Sequence, residues 1–340
     1  MAHELSIQTI DGREIVEAMY ANRPAWHDLG VIFDPGGQQA PDSETTTRLG
    51  HLGWLVDKEP VFLADGTLVP GQYATVRQDT RDILGVVTEK YQVVQNHEAF
   101  SFMDSLLQDG IMRYESAMAL RGGRIVALLA RMPSVDPVAD GDALLRYIMF
   151  STSHDGTAAI HCLPTSVRVV CANTFRLAVR QDITGAKRLL TISHTGDIKG
   201  KLAVARQYLS QFDKAFTLYS EQAQLLATRQ CSQGDLFTYL NEVFPPPKDE
   251  AKGGQAREKL LNGVFHALWI EPSQQIPSIK GTWWATYNGI SHVIDHKKLR
   301  GKGDQTRARE NRFLNVIDGP GAATKERAFE IACTMAGLGA

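Results

Sequence analysis

The segment MRYESAMALRGGRIVALLARM (112–132), with LLRYIMFSTSHDGTAAIHCL (144–163) behind it, decides the fold. Each contains two apolar-rich runs of strand length. A turn signal divides each pair: Gly122-Gly123 in the first, His154-Asp155-Gly156 in the second. Two such pairs in succession predict antiparallel hairpins. Working back toward the N-terminus, Ala99, Phe100, Met103, Leu106 and Leu107 recur at three-and-four spacing behind Asn96, an N-cap candidate, until Gly110. Before that helix, Val61-Phe62-Leu63 and Thr67-Leu68-Val69 flank Asp65-Gly66 as a short hairpin. Tyr73–Arg77 and Ile83–Val87 continue as strands.

Working forward, Pro164 with Thr165 or Ser166 reads as the start of a helix over 165–180. At about 100° per residue, Val167, Val170, Cys171, Thr174, Leu177 and Ala178 share one face, and Arg168, Arg176 and Arg180 lie opposite. A long helix is expected over 198–230, and PPPKDEAKGGQ (245–255) reads as an exposed, mobile linker. Beyond it the pattern is mostly helical, with Trp269, Trp283 and Trp284 available for burial. The expected fold is α+β: an antiparallel sheet over roughly residues 55–163, and helices dominating after 165. The expected domains are an α+β main domain over 1–244, the linker, and a helical region over 256–340.

The composition of the 340 residues agrees with a globular protein. Apolar residues make up 43% and charged residues 22%, which excludes disordered, collagen-like and coiled-coil chains. No membrane span is expected, since no eighteen-residue window is apolar and free of charge. The first residues carry acids where a secretion signal needs bases, so the expected location is cytoplasmic. Cys162, Cys171, Cys231 and Cys333 lie far apart, which indicates neither a zinc module nor a disulfide framework.

The net charge of −2 is unevenly spread. Residues 1–66 hold eleven acids and four bases, or −7. Residues 167–215 hold nine bases and three acids, or +6, and residues 297–312 hold seven bases and two acids, or +5. Two separated basic blocks allow a near-neutral protein to hold a polyanion locally.

Candidate chemistry is sparse. His292 and His296 in HVIDH stand at i and i+4, as metal ligands on a helix would, in an order like that of the inverted zinc-protease motif. Asp295 replaces the glutamate, no third ligand is evident, and no metal is expected. Cys162 and Cys171, with His154, His161 and His194, contain the residue types of a thiol nucleophile pair, but Cys171 falls on an apolar face and is expected to be a small buried residue. No Gly-rich phosphate loop and no paired carboxylates stand out, so no cofactor and no catalytic residue are assigned. The best local signal is SHTGDIKGK (193–201), where His194-Thr195-Gly196 precede Lys199 and Lys201 at a helix start suited to an anion.

Several motifs carry a resemblance over roughly residues 20–335. Arg23-Pro24-Ala25-Trp26-His27-Asp28-Leu29-Gly30, Tyr91-Gln92-Val93-Val94-Gln95-Asn96, Cys171-Ala172-Asn173-Thr174, His194-Thr195-Gly196 and Thr282-Trp283-Trp284-Ala285-Thr286-Tyr287-Asn288 resemble, in order, the phage/plasmid-like protein family, a domain of unknown function. The order of helix, hairpin, hairpin and helix is also similar to the annealing core of Rad fifty-two-type recombination proteins. That resemblance implies a β-β-β-α unit that forms rings and lays single-stranded DNA along a basic groove.

Charge and resemblance together lead to an expectation of ATP-independent single-stranded DNA binding and annealing by a homo-oligomer. Arg168, Arg176, Arg180, Lys187, Arg188, Lys199 and Lys201 are the expected phosphate contacts. A nucleic-acid or nucleotide-processing enzyme using His154, His161 or His194 is one alternative. An accessory protein that binds a host protein is another.

Overall fold

The computed structural model describes residues 7–10, 13–21, 31–33, 41–107, 112–168, 174–176, 191–192, 194–196, 200, 209–296 and 319–338. In chain order the strands are β1 (Ile7–Ile10), β2 (Arg13–Val16), β3 (Ala18–Tyr20), β4 (Val31–Ile32), β5 (Val56–Phe62), β6 (Leu68–Arg77), β7 (Ile83–Thr88), β8 (Arg113–Leu120), β9 (Ile125–Ala139), β10 (Asp142–Ser153), β11 (Ile160–Arg168), β12 (Thr174–Arg176) and β13 (Thr191–Ile192). The helices are α1 (Ser43–Leu49), α2 (Asn96–Leu107), α3 (Leu209–Thr228), α4 (Gln233–Val243), α5 (Glu250–Ile270), α6 (Trp283–His296) and α7 (Pro320–Met335).

The fold is α+β. Eight strands form the main sheet in the order β12-β11-β10-β9-β8-β3-β4, with β13 also pairing β11. All its pairs are antiparallel except β3 with β4. Both expected hairpins form. Leu120 pairs Ile125 around Gly122-Gly123, whose φ angles of 67° and 90° are those glycine adopts freely, and Phe150 pairs Cys162 across the second. The strands β5-β6-β7 make a separate antiparallel meander, and β1-β2 a short ribbon.

The helix expected over 165–180 is not formed. Thr165 to Arg168 end strand β11, and Thr174 to Arg176 form β12, with Thr165 opposite Arg176 and Val167 opposite Thr174. Three valines in four residues (Val167, Val169, Val170) suit a pleated strand better than a helix. Pro164 falls between the short outer ladders of β12 and β13, at a sheet edge where proline is tolerated. Among the described residues after β13, Gly200 is helical and a helix runs over Leu209–Thr228, both inside the helix expected over 198–230.

Residues 250–255 belong to α5 and not to a linker. Asp249 caps the helix by accepting from the Ala251 N–H at 3.1 Å. Gly253 is needed there, since a Cβ would stand 2.6 Å from the Pro247 Cβ. The glycine that reads as a breaker thus lets the helix pack back on the prolines.

One face of the main sheet carries the core. Tyr114, Ala117, Val126, Leu128, Ile148, Phe150 and Cys162 are buried there with Phe100 and Met103 of α2, Phe212 and Phe216 of α3, and Trp284 and Ile290 of α6. Trp283 and Trp284 are buried as expected, whereas Trp269 is 62% exposed. The Trp284 indole N–H donates to the Asp142 carboxylate at 2.8 Å, and the Tyr239 hydroxyl donates to the Ala328 carbonyl at 2.9 Å. No helix among the described residues is long and apolar enough to cross a membrane.

Candidate functional site

Residues 91–96, YQVVQN, form a hub between the main sheet, the β5-β6-β7 meander and the segment at 194–196. The side chains of Tyr91, Gln95 and Asn96 and the backbone of Gln92 each bridge to another part of the chain. The Tyr91 hydroxyl donates to the Ser153 carbonyl at 2.5 Å. Gln92 and His194 hold each other through two hydrogen bonds, from Gln92 N–H to the His194 carbonyl at 2.7 Å and from His194 Nδ1 to the Gln92 carbonyl at 3.1 Å. The His194 ring stacks on Tyr91 with centroids 4.7 Å apart. Gln95 pairs both backbone groups of Val56, at 3.0 and 2.9 Å. Asn96 donates to the Leu52 carbonyl at 2.9 Å, so its amide oxygen faces His154 Nε2 at 3.0 Å as an acceptor.

These contacts set the imidazole tautomers. His154 carries its proton on Nε2, and His194 on Nδ1. Burial pushes the His154 pKa down to about 3, with neighbouring His194 adding to the effect. Burial lowers His194 as well, against the Gln92 carbonyl and Asp155, which favour its charged form. Both are therefore neutral at physiological pH. Cys162 is equally closed off, its thiol raised to about 12 by burial.

A charged anchor backs the hub. Arg77 is fully buried and sits 4.1 Å over the Trp54 ring. It donates to Glu17 at 3.0 Å and to both Asp79 oxygens at 2.9 and 2.6 Å. Trp54 meets His154 edge to face at 5.3 Å. On the meander side, Gly85 lies so close to the 153–157 turn that a Cβ would stand 2.6 Å from the Asp155 Cα. An open groove of about 560 Å³ lies beside the hub between α1 and α2, rimmed by Glu44, Arg48, His51, His97 and Asp104.

The hub is a support. His154 has no exposed surface and cannot reach a substrate, whereas Gln92, Gly156, Thr195 and Gly196 are exposed at its rim.

The expected phosphate contacts divide into two groups. Arg168 ends β11 and Arg176 ends β12, at one edge of the main sheet. Arg180, Lys187, Arg188, Lys199 and Lys201 lie outside the described residues, as do Trp26, His27 and Cys171. The placement of Arg168, Arg176 and Arg180 on the polar side of one helix falls with that helix. In its place, strand pairing brings Arg176 and Thr191 to one edge of the main sheet. β12 joins the outer side of β11 at Thr165–Val167, and β13 joins the same side at Ile160 and His161.

A family model described as a domain of unknown function (DUF932) matches residues 83–315, more than half of the chain. The chain belongs to this family. The DUF932 match takes in β8 to β13, the hub at 91–96, the turn at 154–156, His194 and α6. It begins inside the meander, so Glu17, Trp54 and Arg77 precede it. No curated protein and no solved structure matches the chain.

The hub was missed in the sequence because its partners are far apart: Gln92 and His194 are separated by 102 positions. The available signal was the run of polar side chains in Tyr91-Gln92-Val93-Val94-Gln95-Asn96 just before a helix.

Proposed function

We propose that this DUF932 protein binds single-stranded DNA along the β11 edge of its main sheet and promotes annealing without a nucleotide cofactor, as a homo-oligomer. The observation that carries the reading is the pairing of β11 with both β12 and β13, which brings to one edge the two ends of residues 176–191, a stretch with Arg176, Arg180, Lys187 and Arg188 against Asp182. Residues 167–215 hold nine bases against three acids. Such a density neutralises phosphates while leaving bases free to pair. The double hydrogen bond between Gln92 and His194 supports the same reading, because it fixes the chain just ahead of Lys199 and Lys201. Annealing itself needs no external energy, since base pairs form.

The test is binding of fluorescent single- and double-stranded oligonucleotides over a salt series, with light scattering on the same samples. Single-strand binding that weakens steeply with salt, on particles larger than a monomer, is the expected result. Absence of binding at low salt would overturn the reading. Binding by a strict monomer would remove the oligomer from it.

A further inference from the structure

HVIDH (292–296) is a sequence motif that the nucleic-acid reading leaves unused. α6 sets His292 and His296 one turn apart, with ring centroids 4.6 Å from each other. The structure adds what the sequence lacked. Glu271, the C-cap just past α5, brings its Oε1 to 3.6 Å from His292 Nε2. In a tetrahedral zinc site with bonds of about 2.1 Å, neighbouring donor atoms stand about 3.4 Å apart. The His292–Glu271 spacing is therefore close to that of two ligands of one ion. As the side chains stand, no three donors converge among the described residues. His296 is exposed and stands one turn along α6 from His292, so closing a three-donor site requires its side chain to turn.

We propose that Glu271, His292 and His296 form a binding site for a zinc-class divalent ion, which clips the end of α5 to α6. Two imidazoles and one carboxylate favour a late first-row metal over magnesium or calcium, which prefer all-oxygen shells. The site is a clip and does not follow the hydrolytic chemistry of the inverted protease motif. Asp295, at the position of the acid–base carboxylate, is buried and bonded to the Lys325 ammonium at 2.5 Å. His266 of α5 acts electrostatically on His292, as Glu271 does, and stays outside the ligand set.

The test uses the full-length protein, stripped of metal with a chelator and then titrated with Co²⁺ while its visible absorption is followed. The expected result is one equivalent bound with tetrahedral absorption, displaced by Zn²⁺ and unaffected by millimolar Mg²⁺. Zn²⁺ should also raise the unfolding temperature, because an ion that binds only the folded chain stabilises it. His296→Ala and Glu271→Gln change side chains that are not buried and should keep the fold by circular dichroism. Each should weaken binding at least about tenfold, as loss of even an outer-shell partner commonly does. His97→Ala, an exposed histidine elsewhere, should bind like the parent. Absence of the cobalt spectrum, or equal affinity in His296→Ala and the parent, would overturn the proposal.

Discussion

His194 and Gln92 are locked by two reciprocal hydrogen bonds, of 2.7 and 3.1 Å, although 102 positions separate them in the chain. This pair attaches residues 194–196 to the same hub that holds the 153–157 turn. Replacing His194 with alanine removes the ring bond and the stack on Tyr91 but leaves the backbone bond. The expected cost is about 1–3 kcal/mol, read as a lower denaturant midpoint in a protein that stays folded. An unchanged midpoint would show that the ring contacts contribute nothing to the lock.

The buried histidines make stability depend on pH with a defined sign. The folded-state pKa of His154 is about 3, below its unfolded value of about 6.5. Above about pH 6.5 both states are neutral at this residue and it exerts no pH effect. As the pH falls below that value the unfolded chain takes up a proton that the folded one refuses. Stability then drops by up to about 1.4 kcal/mol per pH unit until about pH 3. His154→Gln should flatten the profile between pH 6 and 4 relative to the parent. Parallel profiles, from denaturant titrations at each pH, would contradict the neutral buried state.

Arg77 ties the meander to β2–β3 through Glu17 and is covered by Trp54. Arg77→Met leaves the fully buried Glu17 without its partner, at an expected cost of about 3–5 kcal/mol. Adding Glu17→Gln should recover part of that loss, because the uncompensated charge is gone. The coupling between the two changes should exceed about 1 kcal/mol in a double-mutant cycle of urea unfolding. Additive losses would mean that the two side chains act independently.

Gly85→Ala tests the contact between the meander and the hub. Its Cβ would meet the Asp155 backbone at 2.6 and 2.7 Å, which neither strand nor turn can absorb by a side-chain rotation. The expected destabilisation is at least about 2 kcal/mol, measured as a shift in unfolding temperature. Gly66→Ala is a useful contrast: it has a φ of 85° but no atom near the added Cβ, so only backbone strain acts there.

The hairpins were legible because their signals are local. Gly122-Gly123 and Asp65-Gly66 stand between runs of strand-forming residues, and both turns form where they fall. Residues 165–176 were misread because Val167, Val170 and Thr174 satisfy a helical spacing and a strand composition at once. Pairing with β10 decided between them. Gly253 was misread as a breaker because its neighbour Pro247 approaches only in three dimensions. For the same reason, the third donor beside His292 could not be found in HVIDH: Glu271 lies 21 positions earlier, at the C-cap of α5.

The most direct test of the nucleic-acid reading is the salt slope of oligonucleotide binding in the Arg176→Ala/Arg180→Ala double variant. Each phosphate neutralised on a single strand contributes about 0.7 to the slope of log affinity against log salt. Circular dichroism of the variant should match the parent, since β12 is a three-residue edge strand. The predicted result is weaker binding for every sequence tested and a slope lower by about 1.4. Unchanged affinity and slope in a folded double variant would contradict the placement of DNA along the β11 edge.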